Sequence, residues 1–489
     1  MWPFTRSASL TKSDAPIFLT NTLGTTKQRF IPLKPGEVSL YTCGPTVYSQ
    51  AHIGNLRSYI FSDTLARTLI EAGYHVHRVI NITDVGHLTD DADSGEDKME
   101  KGALEAGLNA QELADKYTHL FLADLQQLHI DTNSIVFPRA TEYIKEQIAF
   151  IQELEKRGHT YTTSDGVYFD VSTFPQYGVL GNIKEFLSKE EMVASVGRRI
   201  TENKEKHTPA DFALWKLSPR NSQRQQEWSS PWGTGFPGWH IECSAMSKAL
   251  LGEQIDIHTG GIDHIPVHHN DEIAQSEAVS GKRFATYWMH NAFISIAGDK
   301  IAKSVQNVVY LSELEDKGLH PLALRYLYLQ AHYSSPLSFT WEAAMASNEA
   351  LTRLWKLCAD SKNAANGVEK ESEARQEFIS LLRNDLGTPQ GIALLWDTLK
   401  SEEYSDAQKW ALVVTADKHL GLSLVTPPIQ KTLSINEIPA DVRELALERA
   451  EARSNKDFAR SDELRIHISK RGYHVDDSPS GPLFTPNAK

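Results

Sequence analysis

The chain has 489 residues, which corresponds to roughly three domains of about 150 residues each. Its composition is 40% hydrophobic and 23% charged, which is typical of a globular protein and excludes a disordered, collagen-like or coiled-coil chain. No uninterrupted apolar run approaches the roughly 18 residues that a membrane span needs, so we expect no membrane partner. The net charge of -13 argues against a general polyanion binder and a DNA partner, but it is compatible with one locally basic face.

The cysteine content indicates a reducing compartment. Cys43, Cys243 and Cys358 are far apart and odd in number, so no disulfide framework is expected. The first residues, 1–6, lack the charged-then-apolar pattern of a signal peptide. We therefore expect a cytoplasmic protein whose thiols are free for a metal or for packing, with Cys358 in the core.

Two strand–helix units predict a doubly wound α/β domain. Residues 37–43 carry β-formers, and apolar residues recur at three- and four-residue steps from His52 to about Gly73, which predicts a helix followed by a second strand at 76–82. This order favours parallel strands joined by a crossover helix. The second unit comprises a strand at 254–257 and a helix at about 268–279.

An insertion is expected between these two units, at about 130–208. Short β-like pieces with Gly and Pro lie between Tyr161 and Asn182, whereas the acidic, glycine-containing stretch 84–107 predicts a loop. From about Leu311 the pattern is mostly helical.

These patterns predict three domains. The first is a Rossmann-like, parallel-sheet catalytic domain at 1–310, and the second is a helical linker and bundle at 311–428. Thr426-Pro427-Pro428 is a plausible linker to a small C-terminal module at 429–489.

The first stretch with chemical potential is 43–55. A strand end, a tight turn and the helix N-terminus at His52 and Asn55 form the place where doubly wound sheets bind nucleotides, because unpaired backbone N–H groups point at phosphate there. Gly54 would let a purine approach the backbone. A βα turn with a polar entry to the helix is the alternative.

Two further stretches are compatible with nucleotide binding. Gly260 and Gly261 follow a strand and lie between Asp256 and Asp263, an arrangement that can hold a ribose, although a glycine pair is more often only a turn. Residues 298–304 carry Lys300 and Lys303 beside a Gly-Asp turn, where they can neutralise a leaving pyrophosphate. The alternative for these lysines is a solvated basic turn.

Four scattered residues offer metal-ligand chemistry. Cys43, Cys243, His268 and Glu272 combine thiolate, imidazole and carboxylate donors, which suit zinc. His268 and Glu272 are four apart on a predicted helix and share a face. Because the cysteines have no Cys-x-x-Cys spacing, buried structural cysteines are the alternative, and His269 fits the spacing as well as His268.

These stretches occur together in the order and at the distances of one known family, and the chain resembles the cysteinyl-tRNA synthetases of class I from about Phe18 to Pro486. The matching blocks are Tyr41–Tyr48, His52–Asn55, Asn81–Asp84, Asp211–Lys216, Ser230–Gly233, Pro237–Met246, Asp256–Gly261, His268–Ser276, Tyr287–His290 and Lys300–Ser304.

The resemblance implies a two-step ligase whose substrates are L-cysteine, ATP and tRNA-Cys. It implies one zinc ion per chain, which would be held by Cys43, Cys243, His268 and Glu272 and would bind the substrate thiolate, with Mg²⁺ on the triphosphate. The positions that match the amino-acid pocket are Cys43, Gly44, Thr46, Thr83 and Trp239. The positions that match the ATP site are His52, Gly54, Asn55, Gly260, Gly261, Asp263, Lys300, Lys303 and Ser304. Among these, the implied catalytic set is His52, Asn55, Lys300 and Lys303.

The chain departs from the class I signatures at two positions. The His-Ile-Gly-His pattern ends here in Asn55, which still donates a hydrogen bond. The Lys-Met-Ser-Lys-Ser loop is Lys-Ile-Ala-Lys-Ser, in which Ala302 lacks a hydroxyl, so loop closure rather than activity is expected to change.

Two other functions fit parts of the sequence. A ligase that joins cysteine to a small amine or amino sugar would share the catalytic half but lack a tRNA-reading C-terminus. Residues 440–473, with basic and acidic side chains interleaved, favour an anticodon-end module over a merely salt-bridged helix pair. A non-catalytic zinc- and RNA-binding paralogue is disfavoured by His52, Lys300 and Lys303.

Overall fold

The structure is a computed structural model of the chain. It describes residues 15–86, 97–182, 205–219, 224–296, 299–300, 308–365, 372–428, 433–478 and 481–486. The helices of this part are α1 Ile53–Glu71, α2 Lys98–Ala106, α3 Ala110–Gln127, α4 Ile144–Lys156, α5 Trp239–Leu251, α6 His268–Ser280, α7 Leu311–Asp316, α8 Pro321–Leu329, α9 Trp341–Ala364, α10 Glu373–Arg383, α11 Thr388–Lys400, α12 Asp406–Leu420, α13 Ala440–Ser454 and α14 Phe458–Lys470.

Seventeen strands lie in the same described part of the chain. They are β1 Phe18–Asn21, β2 Thr26–Arg29, β3 Glu37–Thr42, β4 His75–Ile80, β5 Ile135–Val136, β6 Thr160–Thr163, β7 Gly166–Phe169, β8 Phe212–Leu217, β9 Trp228–Ser230, β10 Gly233–Pro237, β11 Ile255–Gly261, β12 Ala285–Asn291, β13 Ile294–Ile296, β14 Asp299–Lys300, β15 Leu337–Phe339, β16 Tyr473–Ser478 and β17 Gly481–Pro486.

A five-stranded parallel sheet forms the centre of the molecule, in the order β12-β11-β3-β4-β5. From β3 the chain extends the sheet through β4 and β5 on one side, and it later returns to add β11 and β12 on the other. The boundary between β3 and β11 is therefore a topological switch point, where open α/β sheets bind ligands beyond the carboxyl ends of their strands. This sheet confirms the predicted doubly wound fold.

Helix α1 starts at this switch point and confirms the helix predicted from apolar spacing. The side chain of His52 accepts from the Asn55 backbone N–H, and the Asn55 side chain accepts from the His52 N–H, which is a capping box. Ile53, Ile60 and Leu65 are buried beneath the helix. The helix ends at Glu71, and Gly73 just beyond it has a φ of 92°, the left-handed conformation that glycine adopts readily.

The insertion is an antiparallel sheet in the order β6-β7-β8-β10-β9. Its strands run from Thr160 to Pro237, whereas the sequence placed the insertion at about 130–208. Strand β5 pairs with β4 in the central sheet, and α4 packs against α5 and α6, so residues 135–156 pack with the catalytic layers. The limits 1–310, 311–428 and 429–489 of the three domains remain predictions.

The sequence predicted a loop for the whole acidic stretch 84–107. This is wrong for its second half, because α2 occupies Lys98–Ala106. Asp97 caps this helix by accepting from the backbone N–H groups of Met99 and Glu100. Met99 and Ala103, four apart, are buried against the core. Residues 87–96 lie outside the described part of the chain.

The C-terminal half is helical, as predicted. Helices α8–α12 pack on one another and on α1, and Cys358 of α9 is fully buried in their common core. Helices α13 and α14 pack together with the hairpin β16–β17 around a small core of their own. Among the described residues, no helix is long and apolar enough to span a membrane.

Candidate active site

A cleft of about 280 Å³ opens at the carboxyl ends of β3 and β11, at the switch point of the central sheet. Most of the residues singled out in the sequence line it, although they come from segments far apart in the chain. These residues are Cys43, Gly44, Thr46, His52, Gly54, Asn55, Thr83, Trp239, Cys243, Gly261, Asp263 and His268.

The remaining sequence-predicted residues lie elsewhere. Gly260 and Glu272 are buried behind the cleft wall. The backbone of Lys300 belongs to β14, which pairs with β13. Lys303 and Ser304 lie outside the described residues.

The turn that follows β3 is held close to the end of β4. A Cβ atom on Gly44 would stand 1.5 Å from the Asn81 carbonyl oxygen, so only glycine fits there. The Gly44 N–H donates to Asn81 Oδ1 at 2.8 Å, and Thr46 pairs with Thr83 in an isolated bridge. This close approach brings the two threonines to one wall of the cleft.

Four buried donors meet at the floor of the cleft. Cys43 follows β3, Cys243 lies on α5, and His268 and Glu272 lie one turn apart on α6. One ligand atom from each residue lies within 4.8 Å of the others. His268 Nε2 is 3.0 Å from Glu272 Oε1, and the Cys43 thiol lies 3.7 Å from the same oxygen. This group can hold a metal ion.

A second grouping shares two of these residues. Cys43 and Glu272 also lie within 4.8 Å of ligand atoms of His258 and His269. Cys243 and His268 line the cleft, whereas His258 and His269 do not. A metal that must leave one position open to substrate therefore fits the group with Cys243 and His268. Of the two histidines that the spacing left open, His268 lines the cleft and His269 does not.

The four side chains shift one another's pKa values through hydrogen bonds and charge. A hydrogen bond from the Cys43 thiol lowers the pKa of Cys243 to about 7, despite burial. Burial lowers the pKa of His268, but hydrogen bonds with Cys243 and Glu272 outweigh it and raise that pKa to about 10. Burial alone would raise the pKa of Glu272, yet His258 and His268 hold it well below its usual range. These shifts favour the Cys243 thiolate and the Glu272 carboxylate, which are forms that bind metals. Burial and the neighbouring Cys243 raise the pKa of the Cys43 thiol, and His268 is held as a cation, so a metal ion would have to displace protons from these two residues.

The sequence did not reveal the side chains that support the ligands. His258 Nε2 is 2.9 Å from Glu272 Oε2, and the ring of His240 meets His268 through their Nδ1 atoms at 2.9 Å. His240 Nε2 in turn lies 3.3 Å from Asp271, which accepts from the Tyr177 hydroxyl. Such partners orient metal-binding imidazoles.

A chain of imidazoles lies behind the other side of the group. His269 Nε2 lies 3.3 Å from the Cys43 thiol, and His269 Nδ1 lies 2.7 Å from His290 Nε2. The other nitrogen of that ring, His290 Nδ1, lies 2.8 Å from the Thr22 hydroxyl. The density of histidines at 258–269 was the one sequence signal for this layer. Tyr177 and Thr22 had no local signal, since they reach the site only through the fold.

His264 is a further cleft residue that the sequence did not single out. It lies in the turn after β11 and lines the cleft beside Asp263 and His268. Its ring centroid is 5.1 Å from that of His268, and burial lowers its pKa to about 4.

Comparisons with known proteins agree with this geometry. The family model "tRNA synthetases class I (C) catalytic domain" matches residues 29–349. Cysteine--tRNA ligase 1 of Burkholderia lata is 45% identical over 468 residues, which are 95% of this chain and 96% of that protein. Cysteine--tRNA ligase of Treponema denticola is 41% identical over 94% of this chain and 97% of that protein. The chain therefore belongs to the class I tRNA synthetases and, within them, to the cysteine family.

Solved structures share the fold at low sequence identity. Mycobacterium tuberculosis methionyl-tRNA synthetase in complex with methionyl-adenylate gives a TM-score of 0.53 at 16% identity, covering 80% of this chain and 92% of that one. The LeuRS of Agrobacterium radiobacter, in its ternary complex with tRNA and LeuAMS, gives a TM-score of 0.54 at 12% identity. The match covers 81% of this chain and 86% of that one. These likenesses support the class I fold alone.

Proposed function

We propose that the protein is a cysteine–tRNA ligase, which activates L-cysteine with ATP and transfers the cysteinyl group to the 3′ adenosine of tRNA-Cys. The observation that carries this proposal is the buried group of Cys43, Cys243, His268 and Glu272 on the floor of the switch-point cleft. The curated relatives named cysteine--tRNA ligase, which match almost end to end, support the same activity.

The first step needs no protein nucleophile. The cysteine carboxylate attacks the α-phosphorus of ATP, a carboxyl–phosphorus bond forms, and the bond to the β-phosphate breaks with its electron pair going to pyrophosphate. In the second step a ribose hydroxyl of the terminal adenosine attacks the cysteinyl carbonyl and AMP leaves. Catalysis then consists of positioning and electrostatic stabilisation.

The floor of the cleft would select the amino acid. The four donors fit one zinc ion per chain, since zinc takes four-coordinate sets of thiolate, imidazole and carboxylate. When bound, zinc supplies a centre that prefers the thiolate of cysteine to the hydroxyl of serine. Thr46, Thr83 and Trp239 would enclose the remainder of the amino acid. The centroid of the Trp239 ring lies 4.7 Å from that of His268, with the two rings tilted by 44°.

The nucleotide would occupy the other half of the cleft. His52, Gly54 and Asn55 would meet the phosphates at the N-terminus of α1, where the helix dipole favours anions. Gly260, Gly261 and Asp263 would receive the adenosine at the end of β11. Lys300, Lys303 and Ser304 would neutralise the leaving pyrophosphate, with Mg²⁺ bound to the triphosphate.

The capping box explains why Asn55 can replace the histidine of the usual signature. Asn55 Oδ1 accepts from the His52 backbone N–H at 3.1 Å, and His52 Nδ1 accepts from the Asn55 N–H at 3.2 Å. Each side chain is therefore held at the cleft edge by the backbone N–H group of the other residue.

The C-terminal module at 429–489 would contact tRNA. Several of its cations are paired, Arg449 with Asp477 and Arg460 with Glu448 and Glu463. Lys470, in the last turn of α14, forms no ion pair within the described residues. Arg465, in the middle of the helix, helps to lower the pKa of Asp476 and Asp477. No specific observation favours the small-amine ligase or the non-catalytic paralogue.

Two assays test the proposal. Cysteine-dependent exchange of pyrophosphate into ATP is expected with zinc-loaded protein, and no exchange would exclude an enzyme of this kind. Cysteinylation of purified tRNA-Cys is then compared with a panel of small amines and amino sugars. Transfer to an amine but not to tRNA would refute the choice of acceptor.

A further inference from the structure

His264 occupies the junction between the two halves of the cleft. It follows Gly261 and Asp263, on the nucleotide side, and its ring lies 5.1 Å from that of His268, on the metal side. The ring is held close to the strand, because a Cβ atom on Gly260 would stand 2.8 Å from His264 Nδ1. Glycine at that position therefore makes room for the imidazole.

The two ring nitrogens of His264 differ in their surroundings. Nδ1 is buried and has no hydrogen-bond partner in the described part of the chain. Within that same part, Nε2 forms no hydrogen bond either, but it is not buried. Because the residue lines the cleft, Nε2 is the atom that opens into it.

The location of the proton follows from this difference. A neutral imidazole carries one N–H group, and a buried donor without an acceptor is costly. With the proton on Nε2, the buried Nδ1 is an acceptor rather than an unpaired donor, and the N–H group on Nε2 can pair with water or a ligand in the cleft. In the cationic ring Nε2 is protonated as well. His264 therefore presents an N–H donor to the cleft in either state.

We propose that His264 is a further catalytic residue, whose Nε2–H donates a hydrogen bond to the α-phosphate while the cysteine carboxylate attacks it. The inference rests on the proposed function. The reacting bond lies between the side-chain pocket at His268 and the adenosine pocket at Gly261, where His264 stands. Negative charge accumulates on the non-bridging oxygens there, and a preorganised donor stabilises it.

Three substitutions separate this role from packing. In His264→Gln the side-chain amide can place an N–H near the position of Nε2, and in His264→Asn it can do so only near Nδ1. His264→Phe keeps a ring and removes both donors. Loss of one donor of this kind lowers kcat about 100-fold.

The measurement is the kcat and the KM values of cysteine-dependent pyrophosphate exchange, with zinc content and melting temperature alongside. We expect His264→Phe and His264→Asn to lose about 100-fold in kcat with KM values within about threefold of wild type, and His264→Gln to remain within about tenfold. Affinity for a non-hydrolysable cysteinyl-adenylate analogue should fall in the same order. His119→Phe, at an exposed position of α3, serves as the matched control.

Several results would overturn the inference. It fails if folded His264→Phe keeps kcat, if Gln and Asn variants are equally active, or if the zinc content falls in step with kcat. If His264→Phe does not fold, the kcat of His264→Gln compared with that of His264→Asn tests the inference. Wild-type protein without any exchange activity would instead refute the proposed function, so the two failures are distinct.

Discussion

Arg325 and Asp63 form a buried ion pair, Nη2 to Oδ2 at 2.7 Å, that joins α8 to the signature helix α1. The same carboxylate accepts from Arg67 at 2.6 Å and from Arg78 at 3.1 Å. Arg325 also donates to the backbone carbonyls of Leu420 and Leu128. One carboxylate thus ties the helical region to the helix whose N-terminus borders the cleft.

Asp63→Asn should destabilise the protein strongly. Removal of the charge leaves Arg78 and Arg325 buried without a counter-ion, which typically costs about 3–5 kcal/mol in the free energy of unfolding. Equilibrium denaturation by urea measures this value. Glu349→Gln, which breaks the exposed pair with Arg353, should change stability by less than about 0.5 kcal/mol.

The same carboxylate predicts an acid dependence. Burial would raise the pKa of Asp63, but Arg325, Arg67 and Arg78 outweigh it and hold that pKa well below the usual range. Because the native pKa is depressed, the ionised carboxylate stabilises the fold at pH values above the unfolded pKa of about 3.9. This stabilisation is lost as the pH falls below that value. The wild type should therefore lose more stability between about pH 5 and pH 3 than Asp63→Asn, and equal losses would contradict this account.

Cys243→Ser should lower bound zinc and raise the KM for cysteine. The serine hydroxyl is a poor substitute for a thiolate ligand, so we expect about 10- to 100-fold weaker metal binding. Metal analysis of the purified protein, together with exchange kinetics, measures both effects. Cys358→Ala, in the core of the helical region, should retain its zinc; unchanged zinc in Cys243→Ser would remove that residue from the site.

His258 is expected to act through Glu272. Its Nε2 lies 2.9 Å from Glu272 Oε2, so His258→Phe leaves a ligand carboxylate without its buried partner. We predict zinc affinity that is weaker by about 10- to 100-fold, measured by competition with a chelator. His467→Phe, at an exposed position of α14, is the control, and equal affinities in the two variants would show that His258 does not orient the ligand.

Arg57 holds one wall of the cleft from behind. Its guanidinium donates to the carbonyls of Ala292 and Phe293 at 3.0 Å each, and to those of His332 and Ser335 at 3.2 and 2.7 Å. No carboxylate pairs with it in the part of the chain that is described. The two anchored segments lead into the paired strands β13 and β15.

Arg57→Gln should weaken ATP binding more than cysteine binding, because the segment that Arg57 anchors leads into β13, and β13 pairs with β14, which carries Lys300 of the proposed ATP site. It removes charged hydrogen bonds, which lowers the free energy of unfolding by about 3 kcal/mol and loosens the wall formed by Ala292 and Phe293. The KM values of the exchange reaction separate the two substrates. Arg353→Gln, on the exposed face of α9, is the matched control; an equal rise in both KM values would indicate a general loss of fold.

The sequence predicted the elements whose signals are local. The apolar spacing of α1 and the four-residue spacing of His268 and Glu272 both correspond to the observed helices. Strand β5 was not predicted, because a strand of two residues shows no periodicity in the sequence. It exists only through its pairing with β4. The predicted insertion, about 130–208, differs from the observed antiparallel sheet at Thr160–Pro237 for the same reason. The strands at the ends of a sheet are determined by pairing partners that are distant in sequence.

The side chains that contact His268 from behind could not be predicted from sequence patterns, for a physical reason. Tyr177, Asp271 and His240 reach His268 from two helices and a turn, so their contact exists only after the layers have packed. The four donors Cys43, Cys243, His268 and Glu272 were grouped in the sequence through the family resemblance, since their spacing alone left buried structural cysteines as the alternative.

The two thiols of the metal group are nearly shut off from solvent. Cys43 is 6% exposed and Cys243 is 2% exposed, and both face only the cleft. An alkylating reagent or oxidant must therefore enter by the path that cysteine itself would take. A molecule whose cleft is filled by substrate should therefore react more slowly with such a reagent than an empty one.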